Sequence, residues 1–471
     1  MFLNDIKWDI TSKCFLKCSF CINAAERCKT HGTDTSYDEK CAIIDQCAIN
    51  RISHIQLLGG EPLYTPRFFD LLEYIASKNI AVGINTNGVM LSNGNINRII
   101  STNCVNDIVV SLDGLKDTHN TIRGANIYDK VLKNVSLLIT KRNQTHSNIS
   151  IGINTVLKKE NINEIFTLIG VLNTIGVDYW NGLELIDFDE KTRKYNIVFT
   201  LDEILDILKE LGELQRHIKT KIIPLFTFPF IVSYANKINQ SNLTIPEHLC
   251  NAGLSFVYLD WKGRIYPCDR VTPKNSDTSI IYKKLKQKEL LLQNTPLEDC
   301  ISSDLFKSFS FLYADEDIIA PACYGCPFYR HECYPCMANL KYNTLDNCCM
   351  HCLELKKRII SDFISSNSSH ISCELYFIPR HITYYENKTT KYVFDLKKGE
   401  AYEIDSPMIQ SIICALYNQV HKTQSELLCT VLLSKILNVN VLQNDVLNDT
   451  FNFFMQDLHE LVENNIVHTE Q

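Results

Sequence analysis

With 471 residues, the chain is too long for one ordinary core and has room for two to four domains. Its composition, 45% hydrophobic and 21% charged with no low-complexity tract, is that of a folded globular protein, and a net charge of −7 argues against a general nucleic-acid binder. The opening residues, MFLNDIKWDITSK, lack the basic-then-apolar pattern of a secretory signal, and no stretch approaches the ~18 uncharged apolar residues that span a bilayer. The expectation is a cytoplasmic protein with neither membrane nor nucleic-acid partners.

From about residue 5 to 186, short β-rich apolar runs alternate with amphipathic helical patterns. The runs are DIKWDI (5–10), SHIQLLGG (53–60), IAVGINTNG (80–88), DIVVSLDG (107–114), ISIGINTV (149–156) and VDYWNGLELI (177–186). PRFFDLLEYIASKN (66–79) and NINEIFTLIGVLNTIG (161–176) carry the helical period. Six βα units imply an α/β fold with a parallel sheet, either doubly wound or a partial (β/α)6 TIM-type barrel. The runs end in small or polar residues, GGEP, NTNG, SLDG and NT, and in barrels that edge carries the site. Residues 191–249 read as a helical connector, with LDEILDILKELGELQRHI (201–218) its clearest helix. SFVYLDWKGRIYPC (255–268) reads as a β-hairpin turning at Lys262-Gly263, and it opens a cysteine-rich segment. After about residue 372, four runs alternate like small antiparallel strands. Three helix candidates follow: one from Ser406-Pro407, one from Thr423 with Glu426 as a capping-box pair, and one over about 447–464. Strands then helices suggest a winged-helix-like α+β module.

Twenty cysteines in a reducing compartment are poor candidates for structural disulfides. They cluster, three at 14–21 and seven at 323–352, which favours metal ligation. Cys14, Cys18 and Cys21 stand in a C-x3-C-x2-C spacing, one thiolate short of a closed Cys₄ set. A missing ligand leaves a metal open to an outside group, as in catalytic zinc sites, although spacing alone does not choose between zinc and iron.

The stretch CFLKCSFC, with Phe20 as the aromatic, after a first strand, followed by GGEP at the end of the second, resembles the radical S-adenosylmethionine (SAM) superfamily. The resemblance implies a [4Fe–4S] cluster on Cys14, Cys18 and Cys21 whose open iron chelates SAM. One electron would then cleave SAM to a 5′-deoxyadenosyl radical that abstracts hydrogen from substrate. Gly59 and Gly60 would permit close backbone approach. Glu61, followed by Pro62, would accept the methionine ammonium. The resemblance further implies that Thr86 and Asn87 line the SAM pocket, that Ser111 and Asp113 face SAM or substrate, that Arg123 takes the SAM carboxylate and that Asn154 lies near the nucleoside.

The second cysteine set resembles the SPASM extension, which carries auxiliary [4Fe–4S] clusters. Its pattern G-x4-C is intact at Gly263–Cys268, while the following block is C-x2-C-x6-C-x2-C. The resemblance implies that Cys250, Cys268 and Cys336 hold auxiliary cluster I, and that Cys323, Cys326, Cys333 and Cys352 hold cluster II. Three [4Fe–4S] clusters and SAM are thus the expected cofactors. Cys348 and Cys349 stay unassigned, and Thr244 stands where some members place a further cluster I ligand. Asp269, beside Cys268, matches the aspartate that takes a substrate proton in sulfatase-maturing relatives, and a carboxylate can act as general base. Cys28 reads as a structural thiol, with a hydrogen-atom donor role as the alternative.

Residues 371–471 hold 7 Lys and Arg against 13 Asp and Glu, a net of −6, which excludes a DNA-reading winged helix. The segment instead resembles the peptide-recognition element of ribosomally made, modified peptides, the fold of the PqqD chaperone. The expected organisation is a radical SAM partial barrel (1–190), the connector (191–249), a SPASM domain (250–365) and a leader-binding module (372–471). The expected partners are a precursor peptide and an electron donor such as flavodoxin or ferredoxin. A cysteine thioether crosslink is the favoured product. Carbon–carbon crosslinking, epimerisation, formylglycine formation and a non-catalytic zinc-stapled scaffold are the alternatives.

Overall fold

The computed structural model describes residues 3–21, 23, 34–184, 199–225, 230–245, 252–253, 255–269, 272 and 290–307. Beyond these it describes 354–355, 358, 375–377, 382–386, 391–395, 400–403, 412, 416, 422–423, 444–463 and 467–470.

Each of the six apolar runs becomes a strand: β1 (Asp5–Asp9), β2 (His54–Leu58), β3 (Ala81–Thr86), β4 (Val105–Ser111), β5 (Ser150–Leu157) and β6 (Tyr179–Glu184). They pair in chain order and all in parallel. Parallel neighbours need a crossover between them. Helices α1 (Tyr37–Ile49), α2 (Phe68–Ser77), α3 (Asn93–Ser101), α4 (Lys116–Arg123), α5 (Tyr128–Thr145) and α6 (Ile162–Ile175) supply it. α1 starts at a capping box, Ser36 with Glu39, as its sequence dictates. On each of the first five strands one i, i+2 pair is buried: Ile6/Trp8, Ile55/Leu57, Val82/Ile84, Ile108/Val110 and Ile151/Ile153. Ile43, Leu71, Ile99, Val135 and Leu168 bury the apolar stripes of five helices.

The sheet extends one strand further than the six expected. After α7 (Leu201–Gln215), the segment Lys221–Leu225 forms β7, parallel to β6, inside the stretch read from sequence as a helical connector. Pro224 would be out of place in a central strand. It is tolerated because β7 is an edge strand, where a missing N–H breaks no second ladder. α8 (Phe230–Asn239) follows. On the other side of β1 lies β8 (Phe256–Leu259), parallel to it, which turns antiparallel into β9 (Ile265–Tyr266). This is the expected hairpin, with Gly263 supplying a left-handed φ of 77° at its turn. A short α9 (Leu297–Ile301) comes later. The nine strands run β7-β6-β5-β4-β3-β2-β1-β8-β9, an α/β partial barrel with a parallel sheet. Because β1 to β6 are parallel, their polar C-terminal ends share one edge.

The chain divides into two compact units, Met1–Ile318 with Tyr334–Asp346, and Ile319–Cys333 with Asn347–Gln471. In the second unit, β11 (Ile382–Glu386), β12 (Lys391–Asp395) and β13 (Glu400–Glu403) form the expected antiparallel meander. β10 (Leu375–Phe377) joins a different sheet, between β14 (Lys422–Thr423) and β15 (His468–Glu470). Thr423, read as a helix N-cap, therefore lies in a strand paired with Leu375. The last helix candidate is present as α10 (Asn444–Glu463), with Phe454, Leu458 and Leu461 buried. Most of the stretch expected to form the other two helices lies outside the described residues. No described helix is long and apolar enough to cross a membrane.

Candidate active site

Cys14, Cys18 and Cys21 stand on the loop that leaves β1, each half-buried and without a disulfide. Main-chain bonds hold this loop on two sides. Gly60 N–H donates to Thr11 O (2.8 Å) and Glu61 N–H to Lys13 O (2.8 Å), joining the loop to the end of β2. Lys17 N–H donates to Arg123 O (3.3 Å) and Ser19 N–H to Ile122 O (3.0 Å), joining it to the end of α4. The two glycines are needed for this approach. A Cβ on Gly59 would stand 2.5 Å from Thr11 O at a φ of 125°, and one on Gly60 would stand 2.1 Å from Lys13 O. Gly60→Ala is therefore expected to force the cysteine loop off β2, at a cost of about 1–3 kcal/mol. The check is the urea midpoint of tryptophan fluorescence, and an unchanged midpoint would show that the two segments part freely. Asp34 ties down the start of the loop, accepting from Thr11 Oγ1, Ser12 Oγ and Ser12 N–H.

Among the described residues, no three His, Cys, Asp or Glu side chains converge as they would around a single metal ion. Cys18 senses Cys21 and Cys14 electrostatically, so the three thiols share a neighbourhood. Burial raises the Cys18 thiol, while the Arg123 guanidinium, donating from Nη1 to its sulfur at 3.7 Å, opposes that effect. A cation aimed at a thiolate, three one-loop thiols and a glycine-lined approach fit a three-cysteine iron–sulfur cluster.

The strand ends are organised around two buried carboxylates. Glu61 is fully buried, and Oε1 accepts from Thr86 Oγ1 (2.6 Å) and Leu63 N–H (3.3 Å), while Oε2 accepts from Asn87 N–H (2.8 Å). Burial raises its carboxyl, and these donors pull it back down. Glu61 thus ties the end of β2 to the end of β3, and Pro62 begins the short 3₁₀ turn that follows. Asn87 Oδ1 accepts from Val89 N–H (2.9 Å), and its buried Nδ2 has no described partner. An orphaned amide donor at a strand end fits a polar ligand there.

The second carboxylate, Asp113, is also fully buried. Oδ1 accepts from Val156 N–H (3.0 Å), and Oδ2 pairs with Arg123 Nε at 2.6 Å. The Arg123 guanidinium also lies over the Phe20 ring, 5.4 Å from its centroid. Arg123 is thus engaged by Asp113, Cys18 and Phe20 together. Ser111 is half-buried and faces Asn154 across β4–β5, and Asn154 Oδ1 accepts from Asn181 Nδ2 (2.8 Å).

Four functional-site neighbours escaped the sequence reading. His119 on α4 is fully buried, and its Nδ1 accepts from Asp113 N–H (3.1 Å). Tyr258 of β8 donates to Asp9 Oδ2 (2.6 Å), which also accepts from Asn23 Nδ2 (3.1 Å), two residues after Cys21. Only Asp9, a carboxylate in an apolar strand just before the cysteines, left a trace in the sequence. Cys268 follows β9, is buried, and donates from Sγ to Asp269 Oδ1 (3.1 Å). Cys28, Cys250, Cys323, Cys326, Cys333, Cys336, Cys348, Cys349 and Cys352 lie outside the described residues.

Residues 8–170, about a third of the chain, match the Radical SAM superfamily. It is 29% identical over 210 residues to GTP 3′,8-cyclase of Clostridium perfringens, an alignment covering 44% of this chain and 62% of that protein. It is 28% identical over 152 residues to mycofactocin maturase MftC of Mycobacterium tuberculosis, covering 29% of this chain and 38% of the maturase. The chain thus spans less than two thirds of either relative. Among solved structures, anSMEcpe with bound AdoMet and the Cp18Cys peptide shares the fold at a TM-score of 0.54 and 18% identity, covering 78% of this chain and 99% of that one.

Proposed function

We propose that the protein is a radical SAM peptide maturase that binds the leader of a ribosomally made precursor and modifies its core, with a cysteine thioether as the favoured product. The observation that carries this reading is the three-cysteine loop clamped at the polar edge of a parallel partial barrel. The similarity to a maturase, and to a fold neighbour crystallised with AdoMet and a peptide, supports it.

When bound, a [4Fe–4S] cluster and SAM supply one-electron cleavage and hydrogen-atom abstraction from substrate. Cys14, Cys18 and Cys21 would hold that cluster, with SAM lying along Gly59, Gly60, Thr86, Asn87, Ser111 and Asn154. The orphaned Asn87 Nδ2 is the donor best placed to bind it. Glu61 and Asp113 hold the strand ends together through their bonds to Thr86, Asn87 and Val156. Cys250, Cys268 and Cys336 would hold one auxiliary cluster, and Cys323, Cys326, Cys333 and Cys352 a second, in a SPASM domain at 250–365. A three-cysteine set leaves a position suited to a substrate thiolate, which is why a thioether is favoured. The leader would bind at 372–471. There β11 and β13 each pair only with β12 among the described residues, so the meander offers edges for strand addition. A flavodoxin or ferredoxin would supply electrons.

A second reading, oxidation of a peptide Ser or Cys to formylglycine, draws on Asp269, whose carboxylate already accepts from Cys268. Anaerobic reconstitution and co-expression with a candidate precursor test both readings. Three clusters predict about 12 irons per chain. Cys14→Ala is expected to remove one cluster's share and all 5′-deoxyadenosine formation. A precursor lighter by two hydrogens without an aldehyde supports a crosslink, whereas a hydrazide-reactive aldehyde supports formylglycine. One deuteron gained in D₂O without other mass change would indicate epimerisation instead. Stoichiometric zinc with little iron would overturn the radical reading.

A further inference from the structure

Phe15 and Tyr64 are 44% and 50% exposed, and their rings meet edge to face with centroids 6.3 Å apart. Phe15 directly follows Cys14, and Tyr64 lies just past Glu61 in the turn that packs on the cysteine loop. Two large aromatics in contact at a surface signal a binding anchor more than chance exposure. Lys13 and Lys17 flank Phe15, both are exposed, and neither has an ion pair among the described residues. From Ile10 to Asn23 they are the only charged residues, in a chain whose net charge is −7. Three described acids have partners of their own: Asp9 accepts from Tyr258 and Asn23, Asp34 accepts from Thr11 and Ser12, and Asp70 pairs with Arg67.

An aromatic anchor beside two exposed lysines with no ion pair among the described residues, on the loop that bears the three thiols, suits a partner with an acidic face whose redox group must come close to those thiols. We propose that Lys13, Phe15, Lys17 and Tyr64 form the docking face for an acidic one-electron carrier protein. This rests on the radical SAM reading of the same loop.

The test uses the cluster-loaded full chain with a flavodoxin as probe and basic cytochrome c as control. Calorimetry measures binding, and 5′-deoxyadenosine is measured with dithionite and with reduced flavodoxin separately. The Lys13→Glu/Lys17→Glu variant is expected to weaken flavodoxin binding roughly ten-fold at low salt, with the difference shrinking at high salt. Phe15→Ser is expected to weaken it without that salt dependence. Flavodoxin-driven 5′-deoxyadenosine should fall several-fold further than dithionite-driven 5′-deoxyadenosine in the same variant, which separates carrier docking from any effect on the cysteine loop. Unchanged flavodoxin binding in both variants would overturn the proposal, as would tighter binding of cytochrome c than of flavodoxin by the unaltered chain. Loss of peptide affinity in place of carrier affinity would reassign the face to substrate and also overturn it. Failure of the unaltered chain to cleave SAM with dithionite would instead count against the radical reading, which the calorimetry does not use.

Discussion

Replacing Arg123 by methionine is expected to destabilise the first unit by about 3–5 kcal/mol, because it strands a buried carboxylate. Asp113 is fully buried, and its Oδ2 has the Arg123 guanidinium 2.6 Å away. Without it, the charge retains one backbone donor, Val156 N–H. The double variant Asp113→Asn/Arg123→Met removes both charges and should recover most of the loss. Unfolding followed by tryptophan fluorescence is the measurement, since Trp8, Trp180 and Trp261 are the only tryptophans and all are buried in that unit. The alternative role, a ligand for the SAM carboxylate, makes a different prediction. In that case Arg123→Met lowers SAM affinity with little change in midpoint, and the double variant binds SAM no better than the single. A loss below about 1 kcal/mol would place Arg123 outside the Asp113 network and favour the ligand role.

The same residues show what the sequence can and cannot reveal. The six strands and their polar ends were legible because each run is short, apolar and punctuated by Gly, Asn or Asp, which is local information. The cysteine spacing was legible for the same reason. What was not legible is pairwise and long-range. Nothing in GGEP says that the Glu61 carboxylate bonds to Thr86 and Asn87, donors that lie 25 and 26 residues away. Nor does the sequence show that Gly59 and Gly60 make room for Thr11 and Lys13, since a close approach to backbone and a close approach to a ligand demand the same glycines. Tyr258 and Asp9 are 249 positions apart. β7 was hidden by Pro224, whose meaning depends on whether its strand is central or at the edge. Thr423 shows the converse error. Its local capping pattern was sound, but pairing with Leu375 overrides it, and a β-branched residue accepts a strand readily.

His119 was missed because a single histidine in the polar helix KDTHNTIR carries no periodic signal, yet it makes this unit sensitive to acid. Burial, with the nearby Arg123 charge adding to it, lowers the imidazole to about 3. Its Nδ1 accepts from Asp113 N–H, so the neutral ring is the form the fold uses. In the unfolded chain the ring titrates near 6.5. Above that pH neither state binds the proton, and the neutral ring's contribution to stability is intact. As pH falls from about 6.5 toward 3, the unfolded state takes up a proton that the folded state refuses, and stability falls. The slope approaches about 1.4 kcal/mol per pH unit, so roughly 2 kcal/mol is lost between pH 7 and 5 from this group. Glu61 acts with the opposite sign, because its raised carboxyl takes up a proton more readily in the folded state. His119→Asn separates the two, since asparagine can accept from Asp113 N–H but does not titrate. Urea unfolding at pH 7 and pH 5 should show the unaltered chain losing about 2 kcal/mol more than the variant over that interval. Parallel losses in the two proteins would mean that the folded imidazole titrates near its ordinary value, and that the Asp113–His119 contact opens in solution.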